Sequence, residues 1–201
     1  MADLKQQILK YQPVNEQEAV DREEILMWLE TGLDLSRREC LTAHLTASSW
    51  VVSPDRKQVL MVHHNLYRSW SWLGGHADGE WDLSAVALRE VREESGLEHI
   101  RLVTPEIFSL EILAVSGHFK HGSYVPSHLH LNATYLIEGD PAESLRVKPD
   151  ENSAVMWFAP EDALRMSREP WFREFIYPKL IRKADKRTFP LSHLSTCQLS
   201  Q

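Results

Sequence analysis

The chain has 201 residues, 43% of them hydrophobic and 25% charged, which are the proportions of a globular protein with a core of its own. Its formal net charge of −7 is offset by no Lys/Arg-rich run. This argues against a nucleic-acid partner and leaves a phosphorylated ligand to be met through a bound cation.

No apolar run reaches the ~18–20 residues that span a bilayer, and the first residues lack the apolar stretch of a secretory signal. Cys40 and Cys197 are the only cysteines, too few for a disulfide framework or a zinc cluster. A soluble, cytoplasmic protein with reduced thiols is the expectation.

In chain order, a short helical stretch ends near Pro13, and residues 16–30 read as an acidic, amphipathic helix with Asn15 as cap and Gly32 just beyond its end. This leader, residues 1–40, carries no evident chemistry and is expected to be a packing or dimerisation element. From Leu41 the texture turns to strand: TAHLTASSWVV and KQVLMVHH are separated by a turn at Ser53-Pro54-Asp55. A loop with Trp70 and Trp72 leads to Gly74-Gly75, then to a helix over residues 82–95 that Gly96 stops. Strands follow at about 99–116 and 127–138, separated by the loop GHFKHGSYVP. The strand SAVMWF, a short helix after Pro160 and a last helix bent at Pro178 complete the domain. Residues 186–201 read as a polar tail. Strands around one central helix, without regular βαβ alternation, predict an α/β sandwich with a mixed sheet over residues 41–185. GGHADG lacks the glycine spacing of a dinucleotide-binding fingerprint.

The central helix carries the informative pattern. At ~100° per residue, Glu90, Glu93 and Glu94 fall within an arc of about 100°, with Leu88 and Val91 on the adjoining side. Such carboxylates repel one another by roughly 0.2–0.5 kcal/mol per i,i+4 pair. A divalent cation removes that penalty, and Mg²⁺ suits carboxylates combined with waters and phosphate oxygens. The stretch REVREE alone is equally served by a solvated face on which Arg89 pairs with Glu93. The glycines shift the balance: Gly74-Gly75 lets backbone approach a ligand closely, and Gly96 permits a tight turn.

From Gly75 through Arg89-Glu90-Val91-Arg92-Glu93-Glu94-Ser95-Gly96-Leu97 the chain resembles the Nudix box. That box reads Gly, five residues, Glu, seven residues, then Arg-Glu-apolar-any-Glu-Glu-any-Gly-apolar. One position departs: Trp81 stands where the box has its first glutamate, flanked by Glu80 and Asp82. In the family that glutamate helps hold the loop–helix–loop together, so the departure touches loop geometry more than catalysis. Asp82 could cap the helix and Glu80 could restore the contact.

The resemblance implies a Nudix-type α/β/α sandwich and hydrolysis of a diphosphate bond in a small nucleoside diphosphate derivative, dependent on Mg²⁺ or Mn²⁺. It assigns Glu90, Glu93 and Glu94, with the carbonyl near Gly75, to the metal. Arg89 would hold the glutamates by charge-assisted hydrogen bonds. The general base falls to Glu90 or Glu94, with Glu151 on a downstream loop behind them. It also makes a homodimer through the leader conceivable, since many relatives pair.

Substrate markers are absent. The family's ADP-ribose and dinucleoside polyphosphate hydrolases tend to carry a proline or a tyrosine beyond the box, where this chain has SLEILAV. The Pro/Phe run of NADH diphosphatases and the Arg/Gly-rich segment of coenzyme A diphosphatases are missing too. SHLHLNATY reads as a strand with His128, His130 and Asn132 on one face, and His44 alternates with core residues in TAHLTAS. These histidines, with Trp70, Tyr124 and Glu151, are the candidate substrate-binding residues; each histidine could equally be a satisfied sheet residue. Phe119 could join the stacking aromatics, whereas Trp72 reads as core. His63-His64 is discounted as a metal site because strand neighbours face opposite ways.

Other activities compete. Isopentenyl diphosphate isomerase shares the fold, but its chemistry needs a cysteine that residues 59–75 do not contain. A non-catalytic nucleotide sensor usually loses box glutamates, which persist here, and RNA decapping conflicts with the acidic balance.

Overall fold

The computed structural model describes residues 1–120 and 122–185. The tail expected at 186–201, with Cys197, lies outside the described residues, as does His121. Helix α1 (Ala2–Lys10) is followed by α2 (Glu16–Leu29), which opens where Asn15 foretells it: the Asn15 side chain accepts from Glu18 N at 2.9 Å. Leu4, Ile8, Ile25 and Leu29 are buried in the same apolar cluster as the sheet. The leader helices thus pack on the domain through these residues.

Strands β1 (Ala43–Val52) and β2 (Val59–His64) meet at the Ser53 turn; β3 (Ser69–Ser71) and β4 (Leu73–His76) follow and lead into α3 (Leu83–Ser95). After α3 come β5 (Ile100–Leu102), β6 (Ser109–Val115), β9 (His128–Gly139) and β10 (Asn152–Phe158). The stretch between β6 and β9, expected as a loop, holds a hairpin of β7 (His118–Lys120) and β8 (Ser123–Val125). Helix α4 (Pro160–Met166) precedes a π-helical turn, Phe172–Ile176, that runs into α5 (Tyr177–Ala184). The irregularity foreseen at Pro178 thus falls one turn earlier. A proline removes the N–H that would bond back into the preceding turn, which locally favours a wider winding.

The main sheet has the order β10-β2-β1-β9-β5, with β3 beside β2, β4 beside β1 and β6 beside β9. β1 and β9 run parallel, with His44 opposite His130, and the other pairs are antiparallel. The sheet is mixed, as expected, and helices cover both faces. Alternation along β1 sends Leu45, Ala47 and Val51 to the cluster containing Val86, Ala87 and Val91 of α3. Trp50 and Val52 go to the opposite cluster, with Tyr177 and Leu180 of α5. Helix α2 closes the outer edge of β6: Ile112 N donates to Asp21 at 2.9 Å and Gln17 Nε2 donates to Leu110 O at 3.2 Å. An edge covered in this way offers no template to another chain. Among the described residues, no helix is long and apolar enough to cross a membrane.

On the α5 face lies a buried polar network. The Lys179 ammonium stands 3.0 Å from both Glu18 and Glu111. The Ser109 hydroxyl lies within hydrogen-bond reach of both carboxylates, with one hydrogen to give, and Asn132 Nδ2 donates to Glu111 at 3.0 Å. Thr46 and Ser48 of β1 donate to Asn132 Oδ1 at 2.9 Å. Burial works to raise the Glu18 carboxyl, but Lys179, the Tyr11 hydroxyl and Val14 N overcome it and hold Glu18 below the usual carboxylate range.

Candidate active site

The box residues are placed by β4, α3 and the loop before β10. Asp82 caps α3, accepting from Ser84 N at 3.1 Å and Ala85 N at 3.2 Å, and Glu80 Oε1 accepts from Asp82 N at 2.8 Å. Glu80 and Asp82 therefore tie the turn where Trp81 replaces the expected carboxylate, while the Trp81 ring packs against the core. At the other end Gly96 closes the helix with a φ of 77°, and Arg146 packs where its side chain would lie.

Glu90 and Glu94 point inward, 7% and 3% exposed. Glu94 Oε2 accepts from Gly74 N at 2.8 Å. Glu90 fills the space that a side chain at Gly75 would need: a Cβ there would stand 2.5 Å from its Cδ. Arg89 donates to Glu90 Oε1 at 3.0 Å and to His76 O at 3.2 Å, clamping the carboxylate to β4. Its contact with Glu93, the pair a solvated face would favour, is longer at 3.8 Å. Glu93 is held instead by Lys148 Nζ at 3.0 Å, which also reaches Glu151 at 3.1 Å. The 148–152 loop docks on α3 through Asn152 Nδ2, which donates to Glu94 O at 3.1 Å. Burial raises the Glu94 carboxyl to about 8 and raises Glu90 too, against the pull of Arg89. Burial also opposes the charge on Lys148, but Glu93 and Glu151 overcome it and raise its pKa.

Three oxygen-bearing side chains on one helix face, beside a residue with no side chain, fit a hard dication that takes carboxylate and carbonyl oxygens. Glu90, Glu93 and Glu94, with the Gly75 backbone, would hold it.

The other expected site residues divide into groups. His44, His128 and His130 come together, and His76, which sequence reasoning passed over, joins them: ring centroids lie 4.8–5.0 Å apart from His44 to each of the other three. Burial, then the neighbouring imidazoles His76, His44 and His128, lowers His130 to about 2, and burial lowers His44 as well. Glu151 meets the box through Lys148. Tyr124 is exposed on the β7–β8 hairpin, 5.6 Å from Phe119. Trp70 stands edge-on to Phe158 at 4.8 Å and lines a separate cavity of about 320 Å³ with Arg68, Arg165 and Arg173. Trp72 is core, as expected. His63 and His64 are engaged separately, by Ser153 and by Leu66 N. Lys148 and His76 escaped the sequence reading for different reasons. The lysine sits in an unpatterned loop, and His76 acquires its partners only through strand pairing.

Comparison with known proteins agrees with this geometry. The family model described as NUDIX domain matches residues 42–178, more than half of the chain. Among curated proteins none matches the chain. Solved structures of the same fold include a dihydroneopterin triphosphate pyrophosphohydrolase from E. coli (15% identity, 69% of this chain and 95% of that one, TM-score 0.50). A NUDIX-family hydrolase from Clostridium perfringens shows 20% identity over 68% of this chain and 95% of its own, with a TM-score of 0.48. A C. elegans Ap4A hydrolase shows 18% identity over 69% and 93%, with a TM-score of 0.48. The box, its placement between β4 and α3, and the family match together establish that the chain belongs to the Nudix hydrolase family.

Proposed function

We propose that the protein hydrolyses a diphosphate linkage in a small nucleoside diphosphate derivative, a nucleotide or nucleotide sugar, with Mg²⁺ or Mn²⁺ held by Glu90, Glu93 and Glu94. The observation that carries this reading is the pair of buried carboxylates, Glu90 and Glu94, held at high proton affinity beside a backbone that has no side chain. Burial that one partner each offsets only in part is costly in a structural element and useful in a site that takes up a cation or a proton.

When bound, the dication neutralises phosphate oxygens and lowers the pKa of a water molecule. Arg89 fixes the Glu90 carboxylate against His76 O, so that its free oxygen keeps one direction. Glu94, whose Oε2 is fixed by Gly74 N, is the general base we assign of the two, because a backbone donor rather than a neighbouring guanidinium holds it. Lys148, between Glu93 and Glu151, balances negative charge at the open end and is placed to meet a substrate phosphate. Tyr124 and Phe119 on the hairpin offer aromatic faces to a base.

The test is release of nucleoside monophosphate from a panel of nucleotides and nucleotide sugars with Mg²⁺ or Mn²⁺. Wild type should turn over at least one member, and Glu93→Gln and Glu94→Gln should lose that activity. Undiminished turnover in both variants overturns the assignment, and tight calorimetric binding without hydrolysis would make the protein a sensor.

A further inference from the structure

Three neighbouring strands each aim one imidazole at a common point. Alternation puts His44 and Thr46 on the face of β1 turned away from α3. The parallel register sets His130 of β9 opposite His44, and the antiparallel register sets His76 of β4 opposite Thr46. Ligand-capable atoms of His44, His76 and His130 lie within 4.8 Å of one another. Side chains on paired strands are held more firmly than side chains on loops, which suits a site of fixed geometry.

The hydrogen bonds around these rings assign their protons. His44 Nδ1 lies 3.2 Å from Cys40 O. A carbonyl only accepts, so Nδ1 carries the hydrogen and Nε2 keeps its lone pair. That Nε2 is buried without a hydrogen-bond partner, on a residue 4% exposed. An unsatisfied buried acceptor costs roughly 1–3 kcal/mol, and sheet packing gives no reason to accept that cost. His128 repeats the arrangement: Nδ1 lies 2.8 Å from Pro126 O, and its Nε2 faces His130 Nε2 at 3.1 Å. His128 Nε2 there accepts from His130 Nε2–H, a proton that a cation entering the cluster would displace. A backbone carbonyl on Nδ1–H is also the usual means of fixing the tautomer of a metal-ligating histidine.

We infer that His44, His76 and His130 form a binding site for a transition-metal dication of the zinc class, with His128 as a fourth imidazole, on the sheet face opposite the box carboxylates. An all-nitrogen donor set suits zinc, cobalt or nickel and is poor for Mg²⁺, which takes oxygen. With bonds of 2.0–2.1 Å, a tetrahedral site places its ligand atoms ~3.3–3.4 Å apart. The His128–His130 spacing of 3.1 Å is already close to this, and the atoms of His44, His76 and His130, now within 4.8 Å, would draw together on binding. Bound there, the ion would join β4, β1 and β9 one residue beyond Gly75.

The inference does not depend on the proposed hydrolysis, and its test reads metal binding directly. The full chain, stripped of metal and held in excess Mg²⁺ to occupy oxygen sites, is titrated with Co²⁺ and followed by its visible absorption. Wild type should bind one equivalent that Zn²⁺ displaces. His44→Gln and His76→Gln should each weaken binding by at least ~100-fold, beyond the ~10–100-fold typical of losing an outer partner. Glu93→Gln should bind as wild type does. Far-ultraviolet circular dichroism of each variant confirms its fold, and His76, less buried than His44, is the substitution of the two less able to disturb it. No stoichiometric Co²⁺ binding by wild type overturns the inference. So does binding that survives in a folded His76→Gln, or that disappears in Glu93→Gln.

Discussion

Buried carboxylates occur on both sides of the sheet, and the molecule treats the two sets in opposite ways. On the α5 side, Glu18 and Glu111 share Lys179, with Ser109 and Asn132 satisfying remaining lone pairs. Burial is compensated there, and Glu18 stays below the usual carboxylate range. On the α3 side, Glu94 has one backbone N–H and Glu90 one guanidinium, and both are pushed toward the protonated form. The first set behaves as structure, because its charges are matched within the fold. In the second, Arg89 and Lys148 offset burial only in part, which is the imbalance expected where carboxylates are to take up a cation.

The largest test of this contrast is catalytic. Glu94→Gln should lower turnover by about 10²–10⁴-fold, the usual contribution of a positioned base, while leaving the metal-free fold intact. The counterpart is Lys179→Met, which strands two buried carboxylates. It should cost about 3–5 kcal/mol, a fall in melting temperature of roughly 6–20 °C at 2–4 °C per kcal/mol for a chain of this size. Replacing Glu18, Glu111 and Lys179 together by Gln, Gln and Met should cost less than Lys179→Met alone. If the single and triple variants melt alike, the two sets do not differ in the way described.

Stability against pH separates them more finely. In the metal-free protein the Glu94 carboxyl is raised from an ordinary 4.5 to about 8. Between those values the folded state holds a proton that the unfolded state has released, so stability falls as pH rises across that interval. Glu18 is lowered, so its contribution is present above the ordinary carboxylate value and is lost as pH falls through its folded one. Melting curves in EDTA should therefore show Glu94→Gln flattening the decline toward pH 8 and Glu18→Gln flattening the decline in acid. Mg²⁺ should stabilise the wild type more at pH 8 than at pH 6. An effect of each substitution on the opposite limb would reverse the assignment.

Local signals foretell a good part of this molecule. Asn15, Asp82 and Gly96 bound their helices through their own backbone chemistry, and the box glutamates share a face because helical geometry is periodic. Strand alternation alone also puts His128, His130 and Asn132 on one side. What stays hidden depends on pairing between distant segments. His76 meets His44 and His130 only because β1 lies between β4 and β9, and the β1–β9 pairing is parallel, which no turn residue announces. Glu18 meets Lys179 across almost the whole domain, so the leader helix reads only as a packing or dimerisation element, and its buried ion pair stays hidden until the fold brings the partner. The hairpin of β7 and β8 is too short for its alternation to stand out from a loop.

The smallest effect expected concerns Trp81, where sequence and family pattern part. If the box's first glutamate is needed to shape the turn, Trp81→Glu should improve turnover. The structure gives the opposite expectation. Glu80 already accepts from Asp82 N, Asp82 already caps α3, and the Trp81 ring covers apolar core. Introducing a carboxylate there removes apolar contact and adds a charge that must compete with Glu80 for the same turn. A loss of about 1–2 kcal/mol in denaturant unfolding, with turnover little changed, is the expected outcome. Asp82→Ala, which removes the cap itself, should cost a similar ~0.5–2 kcal/mol and should lower activity more than Trp81→Glu, because it loosens the helix that carries the carboxylates. A marked gain in turnover for Trp81→Glu would show that Glu80 and Asp82 hold the turn without holding it in the reactive shape.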